Sequence, residues 1–174
     1  MRHLALDSGE YLSALHNIHT FTLAKTWIEP IGEDHLRTCF SAFRETITHL
    51  SFESIATSFR AFVTLVDYFP NIKTLGIDWL RLEPDEGPVP VLSRPLRGKL
   101  SLYDFRGGSL DFFSRFARLD LEYEELVISW SSFVYAGMQA LEGVLKICTS
   151  TVRSLRLTSE FPRERSPHQV RILT

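Results

Sequence analysis

The chain predicts an α/β fold in which strands and helices recur as stacked units, and three observations lead there. The first is an apolar triplet of the form L-x-x-L-x-L. It reads Ile18–Phe21–Leu23, Ile47–Leu50–Phe52, Ile72–Leu75–Ile77, Tyr123–Leu126–Ile128 and Val152–Leu155–Leu157. A degraded copy, Arg97–Leu100–Leu102, falls among them. The middle residues of the six are 29, 25, 25, 26 and 29 positions apart, and so regular a period marks a stacked-repeat architecture. The second is helical spacing of apolar residues between triplets. The third is composition: 174 residues with 44% hydrophobic suffice for a continuous core.

Each element follows from local chemistry. Met1–Leu4–Leu6 matches the triplet and reads as a shortened first repeat. Every triplet seats a short strand whose middle and last apolar residues point inward on the period-2 pleat. Trp27 falls in the loop after the first clear strand. Leu36, Cys39, Phe40 and Phe43 share one helix face, and Phe59, Phe62, Val63 and Val66 repeat that spacing. Ser58 is placed to cap the second helix, and Pro70 to stop it just after Phe69. Residues 81–97 carry Pro84, Pro88, Pro90 and Pro95, which forbid a helix interior and predict an extended loop. That loop runs into Arg97-Gly98, where the triplet lacks its first apolar residue. A shorter helix around Leu110, Phe113 and Phe116 opens after Gly107-Gly108. Val134, Met138, Leu141, Leu145 and Cys148 form one more helical stripe, and Val170 and Ile172 begin one more strand.

One strand plus one helix per unit is the leucine-rich-repeat plan. The expectation is a single domain over 1–174: a solenoid of about six repeats, with a curved parallel sheet and outer helices joined by right-handed crossovers. No capping segment is visible at either end, so the chain reads as a fragment of a longer one.

Composition excludes several functions. The formal charge of −2 gives no general pull toward nucleic acid or anionic membrane. No apolar run approaches a signal peptide or a membrane span. Cys39 and Cys148 form no ligand spacing and read as small buried hydrophobes, which suits a reducing, intracellular setting, cytoplasmic or nuclear. His16 and His19 straddle a turn, with no metal-site partners beside them. Asp120, Glu122, Glu124 and Glu125 read as a solvated edge, and Arg106-Gly107-Gly108-Ser109 lacks the ending of a phosphate loop. The expectation is therefore no catalysis, no cofactor and no metal.

A repeat surface binds partners instead. The outward positions on the sheet are Thr20 and Thr22; His49 and Ser51; Thr74, Gly76 and Asp78; Lys99, Ser101 and Tyr103; Glu125, Val127 and Ser129; Ser154 and Arg156. Trp79 and Trp130 fall just past their strands, at one rim. Aromatic residues and arginine most often anchor interfaces. The candidate protein-binding residues are Asp78, Trp79, Lys99, Tyr103, Glu125, Trp130 and Arg156. Both charge signs are present without a basic stripe, which favours a protein or peptide ligand over nucleic acid.

The segments Ser58-Phe59-Arg60-Ala61-Phe62-Val63 and Phe69-Pro70-Asn71-Ile72-Lys73-Thr74-Leu75 resemble the repeat joints of F-box proteins. Arg94-Pro95-Leu96-Arg97-Gly98-Lys99-Leu100-Ser101-Leu102 and Glu124-Glu125-Leu126-Val127-Ile128-Ser129 look like further joints. The likeness covers residues 15–160 and is to the F-box/leucine-rich-repeat-like proteins of mushroom-forming fungi. It implies the substrate-recruiting arm of a cullin–RING (SCF) ubiquitin ligase, which holds a protein substrate while an N-terminal F-box grips the Skp adaptor. Residues 1–16 are too few to build an F-box, so Skp binding is expected only if one precedes Met1. The alternative expectation is a scaffold repeat protein with no ubiquitin link.

Overall fold

A computed structural model describes residues 17–25, 27–28, 33–85, 90–103, 110–130, 142, 145–146, 148–159 and 170–173. In chain order the elements are β1 (Thr20–Ala24), β2 (Trp27–Ile28), α1 (Glu33–Phe40), β3 (His49–Ser58), α2 (Phe59–Tyr68), β4 (Thr74–Glu83), β5 (Leu96–Tyr103), α3 (Leu110–Phe116), β6 (Leu121–Trp130), β7 (Ser154–Ser159) and β8 (Val170–Leu173). Six strands, β1, β3, β4, β5, β6 and β7, lie side by side in that order, all parallel. The short β2 pairs with the far end of β3. The fold is α/β, with few helices among the described residues.

The triplets set the register. Phe21, Leu50, Leu75, Leu100, Leu126 and Leu155 stand opposite one another across the sheet. Leu23, Phe52, Ile77, Leu102, Ile128 and Leu157 form the next inward column. A one-residue slip would turn both columns to solvent, which is why apolar pattern and pairing agree so closely. Leu50, Phe52, Leu75, Leu100, Leu102 and Leu126 are buried, whereas Phe21, Leu23 and Leu155 on outer strands are partly so.

Helices cover this face with aromatic rings. Leu36, Cys39 and Phe40 of α1 are buried, and Phe43 follows in a 3-10 turn at Ser41–Phe43. Ser58 caps α2 through a hydrogen bond from the Ala61 amide at 3.1 Å, and Phe69 turns extended ahead of Pro70. Phe62 meets the Phe52 ring at 5.0 Å and the Phe112 ring at 5.1 Å, edge-on to the latter. Phe112 is fully buried beside Phe113 and Phe116, so α3 presents a wider apolar face than Leu110, Phe113 and Phe116 alone predict. Most of the stripe from Val134 to Cys148, the Gly107-Gly108 turn and Met1–Leu4–Leu6 lie outside the described residues.

Polar side chains stitch neighbouring units at the joints before three of the triplets. Thr46 donates to the carbonyl of Ile18 at 2.7 Å, and Thr151 to that of Tyr123 at 2.9 Å. Asn71 donates to the carbonyl of Glu45 at 2.7 Å. Each bond gives a backbone carbonyl of one unit a side-chain donor from the next.

Five expectations are corrected. Three strands are not short: β3, β4 and β6 each have ten residues, because they continue past the triplet, whereas β1 and β7 have five and six. Trp27 belongs to a strand, since its backbone pairs with Ala56. The loop at 81–97 is narrower, because β4 runs to Glu83 and β5 begins at Leu96. The apolar position missing at Arg97 is filled one residue earlier by Leu96, which is buried and pairs with Leu121. The slip is taken up near Gly98, whose φ of 87° is left-handed. A Cβ there would lie 2.3 Å from the Lys73 carbonyl oxygen, so only glycine fits. Finally, β8 is a strand but runs antiparallel to β7, which departs from the repeating parallel pattern.

Candidate interaction surface

The face opposite the helices is ordered in three rows by the same register. The first row is Thr20, His49, Thr74, Lys99, Glu125 and Ser154. The second is Thr22, Ser51, Gly76, Ser101, Val127 and Arg156, and the third is Ala24, Glu53, Asp78, Tyr103, Ser129 and Thr158. The sequence places Ser101, Val127 and Ser129 on the outward face, but they retain only 4%, 7% and 7% exposure. They are small side chains on inner strands, and they give this face a low floor beside larger neighbours.

Beyond the third row the strands kink in step. Lys25, Ser54 and Trp79 have φ of 51°, 55° and 51°. They occupy equivalent places: each follows directly on a third-row residue, and pairing of β3 with β4 skips Ser54 and Trp79. Such backbone costs a non-glycine residue about 1–3 kcal/mol and persists where the surroundings impose it. The cause here is the core. Phe52 and Ile55, and likewise Ile77 and Leu80, are buried although three positions apart. The extra residue lets the strand return to the core in phase, as a β-bulge does. It leaves two residues in a row outside the core: Glu53 and Ser54 in β3, Asp78 and Trp79 in β4.

This geometry sorts the candidate residues. Trp79 lies within β4, not past its end, and is 43% exposed. Tyr103, opposite Asp78 on the adjacent strand, is 42% exposed. Asp78 is half-buried and makes an interaction of its own. Lys99 and Glu125 face each other and form an ion pair at 3.1 Å. Arg156 is half-buried in the second row, away from the aromatic pair. Trp130 is the last residue of β6, opposite Ser159, again inside the strand. Sequence reasoning missed Glu53, which is exposed in the third row. Its signal was present: it follows Ser51 by two, as Asp78 follows Gly76.

Two hollows lie elsewhere. One, of ≈ 690 Å³, sits where the strands begin; several of its polar groups are engaged, whereas the buried Tyr123 hydroxyl in its lining has no hydrogen-bond partner among the described residues. His19 donates through Nδ1 to the Thr46 carbonyl at 2.9 Å, and Arg97 pairs with Glu122 at 2.7 Å. Arg94 donates to the carbonyls of Asp67 and Phe69. Burial lowers the Arg94 pKa from its ordinary value, and the Asp67 charge opposes that shift. The other hollow, of ≈ 620 Å³, lies between α1, α2 and residues 90–93. Among the described residues, no three or more His, Cys, Asp or Glu gather as a metal site. Cys39 and Cys148 are buried, and burial pushes both thiols up. Burial, with Cys148 nearby, holds the Tyr123 phenol well above its usual range. These groups stay protonated near neutrality and are poor nucleophiles or bases. No helix among the described residues is long and apolar enough to cross a membrane.

Searches against protein-family models, curated proteins and solved structures find no match to this chain.

Proposed function

We propose that this chain is a leucine-rich-repeat solenoid of about six repeats acting as a non-catalytic protein-interaction domain. The observation that carries the reading is the register: six parallel strands in chain order, with every triplet in the same two columns. Stacking of that kind leaves one ordered face of the sheet for a partner. The joints that resemble F-box proteins make the domain a substrate-recruiting arm of an SCF ubiquitin ligase, with a protein or peptide substrate on the sheet face. Its mechanism is placement: the domain holds a substrate where a partner enzyme modifies it. A scaffold role without ubiquitin is the alternative, supported by the same register.

The interaction reading is tested by replacing Trp79 and Tyr103 together with alanine. Both side chains are substantially exposed, so the melting temperature stays within about 3 °C while capture of a partner retained by the wild-type chain falls at least about tenfold. Equal capture by the double variant refutes the site. The ligase branch is tested on the full-length gene product: Skp adaptor in its immunoprecipitate supports recruitment, and its absence supports the scaffold.

A further inference from the structure

The exposed corner of the sheet face has a chemistry more specific than general protein binding. Trp79 and Tyr103 lie on adjacent strands and are both exposed, at 43% and 42%. The bulge holds Trp79 out, because Ile77 and Leu80 on either side are both buried. Ring faces are electronegative and attract cations. On the next strand, opposite Asp78, Glu53 is exposed and makes no ion pair among the described residues. Lys99 and Glu125, by contrast, neutralise each other. Of the nearby cations, Arg81 pairs with Glu83 at 3.4 Å, and Lys25, whose backbone amide donates to the Glu53 carbonyl at 2.8 Å, forms no ion pair with Glu53 among the described residues. Glu53 and Tyr103 are two strand spacings apart, about 10 Å, with the half-buried Asp78 on the strand between them, so a guanidinium or ammonium group would sit above that row. Gly76 and Ser101 beside the corner keep the floor low, so that an extended backbone can lie across it.

We infer that Glu53, Trp79 and Tyr103 form a seat for an arginine or lysine side chain of an extended partner segment. The carboxylate supplies charge and the rings supply cation–π contact. The inference rests on the interaction reading above and adds the partner's chemistry to it.

Three acetylated, amidated peptides test it: (Ala-Arg)3, (Ala-Glu)3 and (Ala-Ser)3. The signal is tryptophan emission of the wild-type chain minus that of Trp79→Phe, which isolates Trp79. (Ala-Arg)3 is expected to bind at least about tenfold more tightly than either other peptide, and Glu53→Lys to weaken it by about as much. Raising salt from about 0.05 M to 0.5 M weakens it further, because exposed charges are screened. Glu53 is exposed, so an unchanged melting curve for Glu53→Lys shows that folding is not the cause. Equal binding of the three peptides overturns the cation seat, as does (Ala-Arg)3 binding that ignores Glu53→Lys. Either result, combined with Trp79-dependent capture of a protein partner, leaves the interaction reading standing. Loss of that capture test with arginine-selective binding intact supports the seat and removes the wider reading.

Discussion

The segment between β3 and β4 and the segment between β4 and β5 solve the same problem differently. Both carry the chain from one triplet to the next over 25 residues. The first does so with α2, which buries Phe59, Phe62, Val63 and Val66 behind the sheet. The second has no helix among its described residues and lies against α2 as a strap. Its hold is polar. Asp85 accepts from the Arg60 amide at 2.8 Å at the start of α2, where an anion also suits the helix dipole. Near the other end of α2, Asp67 accepts from the amide and hydroxyl of Ser93 at 2.9 and 2.8 Å. Arg94 and Arg44 then take the terminal carbonyls: Arg94 those of Asp67 and Phe69, Arg44 that of Tyr68 at 2.9 Å. Strand register is the same on both sides of this difference. What the connecting segment must provide is therefore coverage of apolar surface and satisfied helix ends, and a helix is only one way to do it.

Substitutions can break this comparison, beginning with the helix-backed side. Phe62→Ala removes a ring that touches β3, α2 and α3, and is expected to cost about 3–5 kcal/mol in urea unfolding. On the strap side, Arg94→Ala leaves two carbonyls without their charged donor and is expected to cost about 2 kcal/mol. A loss equal to that of Phe62→Ala would show the strap to be as central as the helix. Ser93→Ala keeps the amide bond to Asp67 and loses only the hydroxyl, so about 0.5–1 kcal/mol is expected, with faster hydrogen exchange in residues 90–95. If exchange quickens across α2 as well, strap and helix open as one unit.

Much of this division was legible. The inward columns follow from triplet spacing alone, since strand side chains alternate and the repeat length returns each leucine to the same place. Ser58 and Pro70 announced both ends of α2, and four prolines announced the strap. The strap's clasps were not legible, because Asp67 and Ser93 are 26 residues apart and neither sits in a local motif. Leu96 was not legible: it lies one residue before the triplet position, and its pairing with Leu121 shows only in the register of whole strands. The candidate surface was half legible. Trp79, Tyr103 and Asp78 were named from the triplet, whereas Glu53 and the ion pairing of Lys99 with Glu125 needed the register of whole strands.

The sequence by itself determined which residues face the core and in what order the strands stack, because both depend on short, fixed periods that every unit repeats. Tertiary structure decided the row of left-handed residues at Lys25, Ser54 and Trp79. Three different side chains share that backbone, and no residue preference predicts it. It arises because Ile55 and Leu80 must re-enter a core already set by the triplets. Packing across units, not local propensity, thus turned Trp79 outward on the strand next to that of Tyr103 and set the corner on which partner recognition is proposed to rest.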